Sequence, residues 1–169
     1  FKGFRAMNQK IMGEKMQFKY SLAYILSILV VNYGFSLVPP VPLLGEMWPP
    51  MSLAVGAIFV LRDFAQREIG HRVIGAMLIG AALSYLMADP FVAVASLVAF
   101  LVSETADWAV YTYTKKPLKQ RILLSSAIGT PIDSAIFLAM IGYFSAGGVA
   151  LMVASKMVAA LVVVKMIKK

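Results

Sequence analysis

Three acidic residues lie inside apolar sequence in the second half of the chain, and they are the residues best suited to chemistry. Glu104 and Asp107 lie in an apolar run that begins near Phe91, and Asp133 lies in the next apolar run. The basic stretch 115–121 separates the two runs. Charged side chains inside apolar helices of membrane length are costly, and they usually mark functional positions. The three acids therefore predict a polar site within a membrane protein.

Helical spacing groups these acids with hydroxyl and aromatic side chains. One face with spacing i, i+3, i+7 carries Glu104, Asp107 and Tyr111. A second face with spacing i, i+4, i+7, i+11 carries Ser126, Thr130, Asp133 and Phe137. Carboxylates accept paired N–H donors, and aromatic faces stack on planar rings. The combination predicts a binding site for a flat, nitrogen-rich heterocycle.

Polar residues in other apolar runs extend this site. Asp63 and Arg67 are spaced i, i+4, which predicts an ion pair on one helix face. Lys156 lies about 12 Å from the start of its run at 1.5 Å per residue. Asp133 has a similar predicted depth, so the two side chains are expected to pair, unless Lys156 faces the substrate. Asn32 is either a substrate ligand or the donor of a hydrogen bond between helices.

Structural roles remain open for several of these residues. Asp133 and Lys156 could form an ion pair that only supports the scaffold. Asp107 could balance a basic residue without touching a substrate. Arg67 could extend to lipid headgroups at the end of its helix. The single histidine and the absence of cysteine argue against a zinc enzyme, and no hydrolase or nucleotide-binding motif occurs. We therefore expect no catalytic residues, no metal and no cofactor.

The composition indicates how these residues are positioned. Of the 169 residues, 60% are hydrophobic and only 14% are charged, whereas soluble domains are about one quarter charged. The excess of apolar residues forms runs of about 20 residues, which is the length that crosses a bilayer. We predict an all-α polytopic membrane protein with six transmembrane helices at 20–38, 51–69, 73–88, 91–114, 122–144 and 149–164. Residues 39–50 are expected to form a loop with Trp48 at the membrane interface, and 129–131 to break the fifth helix.

The distribution of basic residues predicts the orientation. The net charge is +8, and Lys and Arg are concentrated before the first run, after the second, fourth and sixth runs, and in no other connection. By the positive-inside rule, both termini are cytoplasmic. The predicted parts are a basic cytoplasmic arm (1–19), a six-helix transmembrane domain (20–165) and a basic tail (166–169). Two halves of three helices would have opposite orientations, as in a 3+3 inverted repeat.

Several motifs occur in order along the chain. They are N-Y at 32–33, D-F-A-Q-R-E-I-G at 63–70, S-E-T-A-D-W-A-V-Y at 103–111, S-S-A-I-G-T-P-I-D-S-A-I-F at 125–137, and Lys156. Together they resemble the queuosine-precursor transporter family, which is also known as the vitamin uptake transporter (VUT) family. The resemblance covers residues 32–165, which is nearly all of the membrane part.

The resemblance implies uptake of 7-cyano- or 7-aminomethyl-7-deazaguanine across a bacterial inner membrane, in a bacterium or from a phage gene in a bacterial host. The partners would be the small nucleobase-like substrate and the lipid bilayer, without nucleic acid, and a homo-oligomer is left open. The N1–H and exocyclic amine of such a base match one carboxylate. The substrate-binding residues expected from the spacing and the resemblance are Asn32, Asp63, Arg67, Glu104, Asp107, Tyr111, Ser126, Thr130, Asp133, Phe137 and Lys156.

Two other classes of function stay open at this point. A substrate-binding subunit of an energy-coupling-factor vitamin importer also has six helices, but it needs ATPase subunits. Such subunits dock through small residues on the first helix, where this chain offers only Ala23 and Ser27. The other class is a membrane receptor that does not transport.

Overall fold

The structure, a computed structural model, describes residues 18–87 and 89–166, where it contains six α-helices and one β-hairpin. The helices are α1 (Lys19–Leu37), α2 (Ser52–Ile69), α3 (Val73–Met87), α4 (Pro90–Tyr113), α5 (Leu118–Met140) and α6 (Ala146–Met166). The hairpin strands are β1 (Val41–Leu43) and β2 (Glu46–Trp48). Most of the predicted arm and tail lies outside the described residues.

Within the described residues, five helical stretches are long and apolar enough to cross a membrane. Four of them are α1, α4, α5 and α6, and the other is Ser52–Met87, which joins α2 to α3 through the 3-10 turn Gly70–Arg72. At 1.5 Å per residue, α3 is about 22 Å long, shorter than a hydrocarbon core of about 30 Å. The all-α, polytopic prediction is confirmed, whereas six separate spans and cytoplasmic termini stay predictions.

Helix α2 lies in the middle of the bundle. It packs against α1, α5 and α6, while α4 packs along α5, and α1 packs against α3. The two halves of the bundle are not packed alike, because α1 contacts α3 but no described Cα atom of α4 approaches α6 within 8 Å. The inverted repeat therefore stays a prediction, without support from these contacts.

Each outer helix turns one stripe of residues inward and its bulky apolar residues outward. The buried residues of α6 recur every fourth position and are Gly148, Met152, Lys156, Ala160 and Val164. On α1, the buried stripe includes Tyr24, Ile28 and Asn32. Leu22 and Val30 on the opposite face are 57% and 66% exposed, as expected for side chains in contact with lipid tails. The polar residues Lys156 and Asn32 thus point into the bundle.

Two glycines allow the helices that carry the charged residues to approach each other closely. A Cβ atom at Gly56 would collide with the backbone carbonyl of Lys156, so this glycine brings α2 against α6. A Cβ atom at Gly129 would lie 2.9 Å from Phe59 Cε1 and 3.3 Å from Asp107 Cβ. The predicted break of the fifth helix is wrong, because α5 continues through Pro131.

The loop predicted at 39–50 contains the β-hairpin. Its turn residues Leu44 and Gly45 both have positive φ, 54° and 84°, the geometry of the tight turns that match the twist of paired strands. Trp48 Nε1 donates a hydrogen bond to Ser155 Oγ at 2.9 Å. Ser145 Oγ donates a hydrogen bond to Glu46. These contacts attach the α1–α2 connection to the start and middle of α6.

Candidate functional site

Three carboxylates and one guanidinium meet in the interior between α2 and α4. We call Arg62, Asp63, Glu104 and Asp107 the Arg62 cluster. Arg62 Nη2 lies 2.8 Å from Asp63 Oδ1 and also contacts Asp107 Oδ2. Arg62 Nε lies 3.6 Å from Glu104 Oε2. All four side chains are at most 2% exposed, so their charges interact with little screening by water.

Hydroxyl groups from α1 and α5 hold two of the acids in place. Tyr24 Oη donates to Glu104 Oε2 at 2.6 Å, and Ser125 Oγ donates to Asp63 Oδ2 at 3.1 Å. Hydrogen bonds to a carboxylate fix its orientation and lower the cost of burying it. Four helices therefore contribute to the cluster, which makes it a junction of the bundle.

Polar and aromatic groups continue from the cluster toward the ends of α2 and α4. Arg62 Nη1 donates to Gln66 Oε1 at 2.7 Å, and Gln66 Nε2 donates to Thr112 Oγ1 at 2.7 Å. The ring of Tyr111 lies near two guanidinium groups. Its centroid is 5.7 Å from Arg62 Cζ and 4.5 Å from Arg121 Cζ, within the range of cation–π attraction.

A second polar group, the Asp133–Lys156 pair, lies between α5 and α6. Lys156 Nζ donates to Asp133 Oδ2 and, at 2.9 Å, to Ser134 Oγ. Ser103 Oγ lies 3.3 Å from Asp133 Oδ1, a long hydrogen bond from α4. Lys156 is fully buried, whereas the Asp133 side chain is 11% exposed. The predicted contact between Asp133 and Lys156 is thus present, and one oxygen of Asp133 is only loosely held.

Asp133 borders a cavity near the middle of the bundle, which we call the Asp133 cavity. Its lining is polar at Asn32, Ser96 and Asp133 and apolar at Ile28, Val31, Phe35, Val55, Ile58, Phe100 and Phe137. Asn32 accepts a hydrogen bond from Ser96 and donates one to Ser84 Oγ at 3.0 Å. The rings of Phe35 and Phe137 have centroids 4.9 Å apart. An amide, a carboxylate and aromatic rings around one space can bind the edge and the faces of a planar ring.

The predicted site residues divide between these regions. Asn32, Asp133 and Phe137 line the Asp133 cavity, and Lys156 holds Asp133. Asp63, Glu104 and Asp107 form the Arg62 cluster, with Tyr111 beside it. Ser126 and Thr130 are buried, and their hydroxyl oxygens have no hydrogen-bond partner among the described residues. The single site predicted from the sequence is thus two regions joined by α4.

The predicted ion pair between Asp63 and Arg67 is wrong. Arg67 is exposed near the end of α2, and Arg62 contacts Asp63 instead. Arg67 lies on the exposed face of the last turn of α2, whereas Ala65 and Gln66 in the same turn are buried. The signal for Arg62 was present in the sequence, because it lies one turn after the apolar Ile58 and directly beside Asp63. Tyr24 was missed because a tyrosine in an apolar run is equally typical of packing.

The chain was compared with known families, proteins and structures. The model of the family described as "Putative vitamin uptake transporter" matches residues 17–169. The comparisons with curated proteins and with solved structures gave no match. The family match covers both the Arg62 cluster and the Asp133 cavity.

Proposed function

Because the chain belongs to the vitamin uptake transporter family, we propose that it carries a 7-deazaguanine base, 7-cyano- or 7-aminomethyl-7-deazaguanine, across a bacterial inner membrane. It is a multi-pass membrane protein with apolar helices of spanning length, and the family implies a small-molecule substrate. The motifs at 103–111 and 125–137 support a deazaguanine as that substrate. The observation that carries the proposal is the Asp133 cavity, where a carboxylate, an amide and three phenylalanine rings surround one space.

The chemistry of the base suits this lining. Its N1–H and exocyclic amine are parallel donors, which pair with both oxygens of one carboxylate, and Asp133 is the carboxylate at the cavity. Lys156 donates a hydrogen bond to Oδ2 of Asp133 and so holds the carboxylate beside the cavity. Each hydrogen bond to a charged group contributes about 1.5–3 kcal/mol. Phe35 and Phe137 offer ring faces, and Asn32 can bond the opposite edge of the base.

Binding in this cavity requires the helices to move. In the present conformation, the cavity has room for about one water molecule, which is too little for a two-ring base. Its lining comes from α1, α2, α4 and α5, so it enlarges when α1 and α2 separate from α4 and α5. Movement of one helix group against another around a central site is the general mechanism of alternating access.

Uptake by liposomes that contain only this chain tests the proposal. We expect saturable exchange of labelled 7-cyano-7-deazaguanine for unlabelled base, and little exchange of riboflavin or biotin. Empty liposomes, and liposomes with the Asp133→Asn variant, serve as controls. Exchange that appears only after ATPase subunits are added would favour the energy-coupling-factor alternative. Tight binding without exchange would favour a receptor, and preference for a vitamin would reject the deazaguanine.

A further inference from the structure

Among the described residues, the interior of the bundle contains more acidic than basic side chains. The inference drawn from this imbalance rests on the proposed transport function. The buried acids are Asp63, Glu104, Asp107 and Asp133. The cations beside them are Arg62 in the cluster, Lys156 on Asp133 and the partly buried Arg121 over Tyr111. Four acids and three bases leave one carboxylate without a cation. A buried carboxylate without a cation takes up a proton, because its ionised form is too costly.

Of the three acids in the Arg62 cluster, Glu104 has the longest contact with the guanidinium of Arg62. The guanidinium of Arg62 is directed at Asp63 and Asp107 through Nη2, and it reaches Glu104 only through Nε at 3.6 Å. Tyr24 donates to Oε2 of Glu104. Oε1 is buried and has no hydrogen-bond partner among the described residues. Oxygens of Asp63 and Asp107 also lack a hydrogen-bond partner, so the direction of Arg62 toward these two acids is the observation that assigns the proton to Glu104.

The groups around Glu104 come from every helix that packs there. Tyr24 lies on α1, Arg62 and Asp63 on α2, and Asp107 on α4. On α3, the residues beside Glu104 are Val73, Ile74 and Met77, which carry no charge. Asp133 of α5 is linked to α4 through Ser103, and its charge is balanced by Lys156 of α6. Among the described side chains, Arg62 is thus the only cation that contacts Glu104.

Glu104 is adjacent in sequence to a residue that contacts the Asp133 cavity, and its side chain borders a second cavity. On one side, its neighbour Ser103 contacts Asp133 at the proposed substrate cavity. On the other side, Glu104 borders a second, narrow cavity that is also lined by Trp108. Trp108 Nε1 lies 3.3 Å from Nδ1 of His71, which is exposed in the turn between α2 and α3. This turn lies on the side that the basic residues predict to be cytoplasmic.

We propose that Glu104 carries an exchangeable proton and that the chain transports its base together with that proton. Glu104 takes up the proton when the Asp133 cavity is open to the outside. It releases the proton to the cytoplasm through the second cavity, which is lined by Trp108. Arg62 then moves closer to the ionised Glu104 and balances its charge. One proton enters with each base, and no covalent bond of the base changes.

Infrared spectroscopy of the purified protein tests the protonation step without any substrate. At neutral pH, exposed carboxyl groups are ionised because their ordinary pKa is about 4. We expect a C=O band of a protonated acid at this pH in the wild type and in Glu68→Gln, a matched change at the end of α2. The band should disappear in Glu104→Gln and shift in Tyr24→Phe, which loses only the hydrogen bond. A missing band in the wild type, or a band removed by Asp63→Asn but kept in Glu104→Gln, overturns the proposal.

Transport with an imposed pH gradient tests the coupling step. Liposomes that are alkaline inside should accumulate the labelled base at least several-fold above the external concentration. Glu104→Gln should lose the accumulation, whereas Glu68→Gln should keep both the accumulation and the exchange of labelled for unlabelled base. Accumulation that follows a sodium gradient, or equal accumulation by Glu104→Gln and the wild type, overturns the coupling. A wild type that exchanges no base at all refutes the proposed function, and the infrared result then decides the protonation by itself.

Discussion

The Arg62 cluster and the Asp133 cavity contain similar side chains, but they differ in charge balance and in space. The cluster has three carboxylates around one guanidinium, and its members are at most 2% exposed. At the cavity, Asp133 is matched by one cation, Lys156, and it faces a space with phenylalanine rings. A buried acid with a cation and an open neighbouring space can receive a ligand. A buried acid without its own cation is instead suited to hold a proton.

The largest expected difference between the two regions is the cost of removing their cations. Arg62→Met leaves the carboxylates of Asp63 and Asp107 without a contacting cation, and breaking a buried ion pair costs about 3–5 kcal/mol. Lys156→Met leaves only Asp133, which is partly exposed to the cavity and can be hydrated there. We expect Arg62→Met to lose most of its folded protein in detergent, and Lys156→Met to lose less. The yield of monodisperse protein and the Tm measure this.

Arg62→Lys is the matched control for this comparison. It keeps the charge but loses the forked geometry that reaches two acids at once, so it should be intermediate in stability. Equal losses of folded protein and of Tm for Arg62→Met and Lys156→Met would mean that the charge imbalance does not affect the stability of the fold. The two regions would then not differ in the way described above.

A smaller effect is expected where the helices approach each other beside the cluster. In Gly129→Ala the new methyl group would lie 2.9 Å from Phe59 and 3.3 Å from Asp107. Overpacking of this kind costs about 1–3 kcal/mol. Gly75→Ala is the control, because nothing lies within 4 Å of its Cβ position and alanine favours a helix. A Tm that falls for Gly129→Ala and not for Gly75→Ala would agree with the close approach, and equal Tm values would contradict it.

The helices could be predicted from the sequence because apolar runs of membrane length have few alternative structures. The predicted spans overlap α1 to α6, but α5 begins at Leu118 rather than at residue 122. The basic residues Lys119 and Arg121 led to a later predicted start, although a helix end outside the apolar core can carry such residues. Pro131 was the reason for the predicted break in the fifth helix, which does not occur. A single proline in a long helix removes one backbone donor, and the packing of the neighbouring helices outweighs that loss.

The members of the site could be predicted, but only some of their partners could. Spacing identifies residues on one helix face, and it correctly put Asp133 and Phe137 on the same side of α5. Partnership depends on how neighbouring helices are rotated and shifted, and no single-sequence pattern encodes that. Within α2, the i, i+4 spacing predicted Arg67 as the partner of Asp63, whereas the observed contact is to the adjacent Arg62. The pairing of Asp133 with Lys156 was predictable because both lie at a similar depth.

The smallest stability effect concerns the coupling within the Asp133–Lys156 pair. Contacting charges show coupling energies of about 0.5–3 kcal/mol in double-mutant cycles. We expect Lys156→Met to lower the Tm more than the double variant Asp133→Asn with Lys156→Met, because the double variant leaves no unpaired charge. Additive losses would show that the contact has no energetic role. A double variant that is stable but does not exchange the base would assign the pair to transport rather than to the scaffold.

Equilibrium binding of 7-cyano-7-deazaguanine to two purified variants tests the division of roles most directly. Asp133→Asn removes the charged acceptor at the cavity, and Glu104→Gln replaces the proton carrier in the cluster with a neutral side chain that cannot release a proton. A loss of about 1.5–3 kcal/mol corresponds to a Kd at least tenfold higher, since each 1.4 kcal/mol is about tenfold. We predict this weakening for Asp133→Asn and a Kd close to that of the wild type for Glu104→Gln. Unchanged binding by Asp133→Asn, together with lost binding by Glu104→Gln, would contradict it.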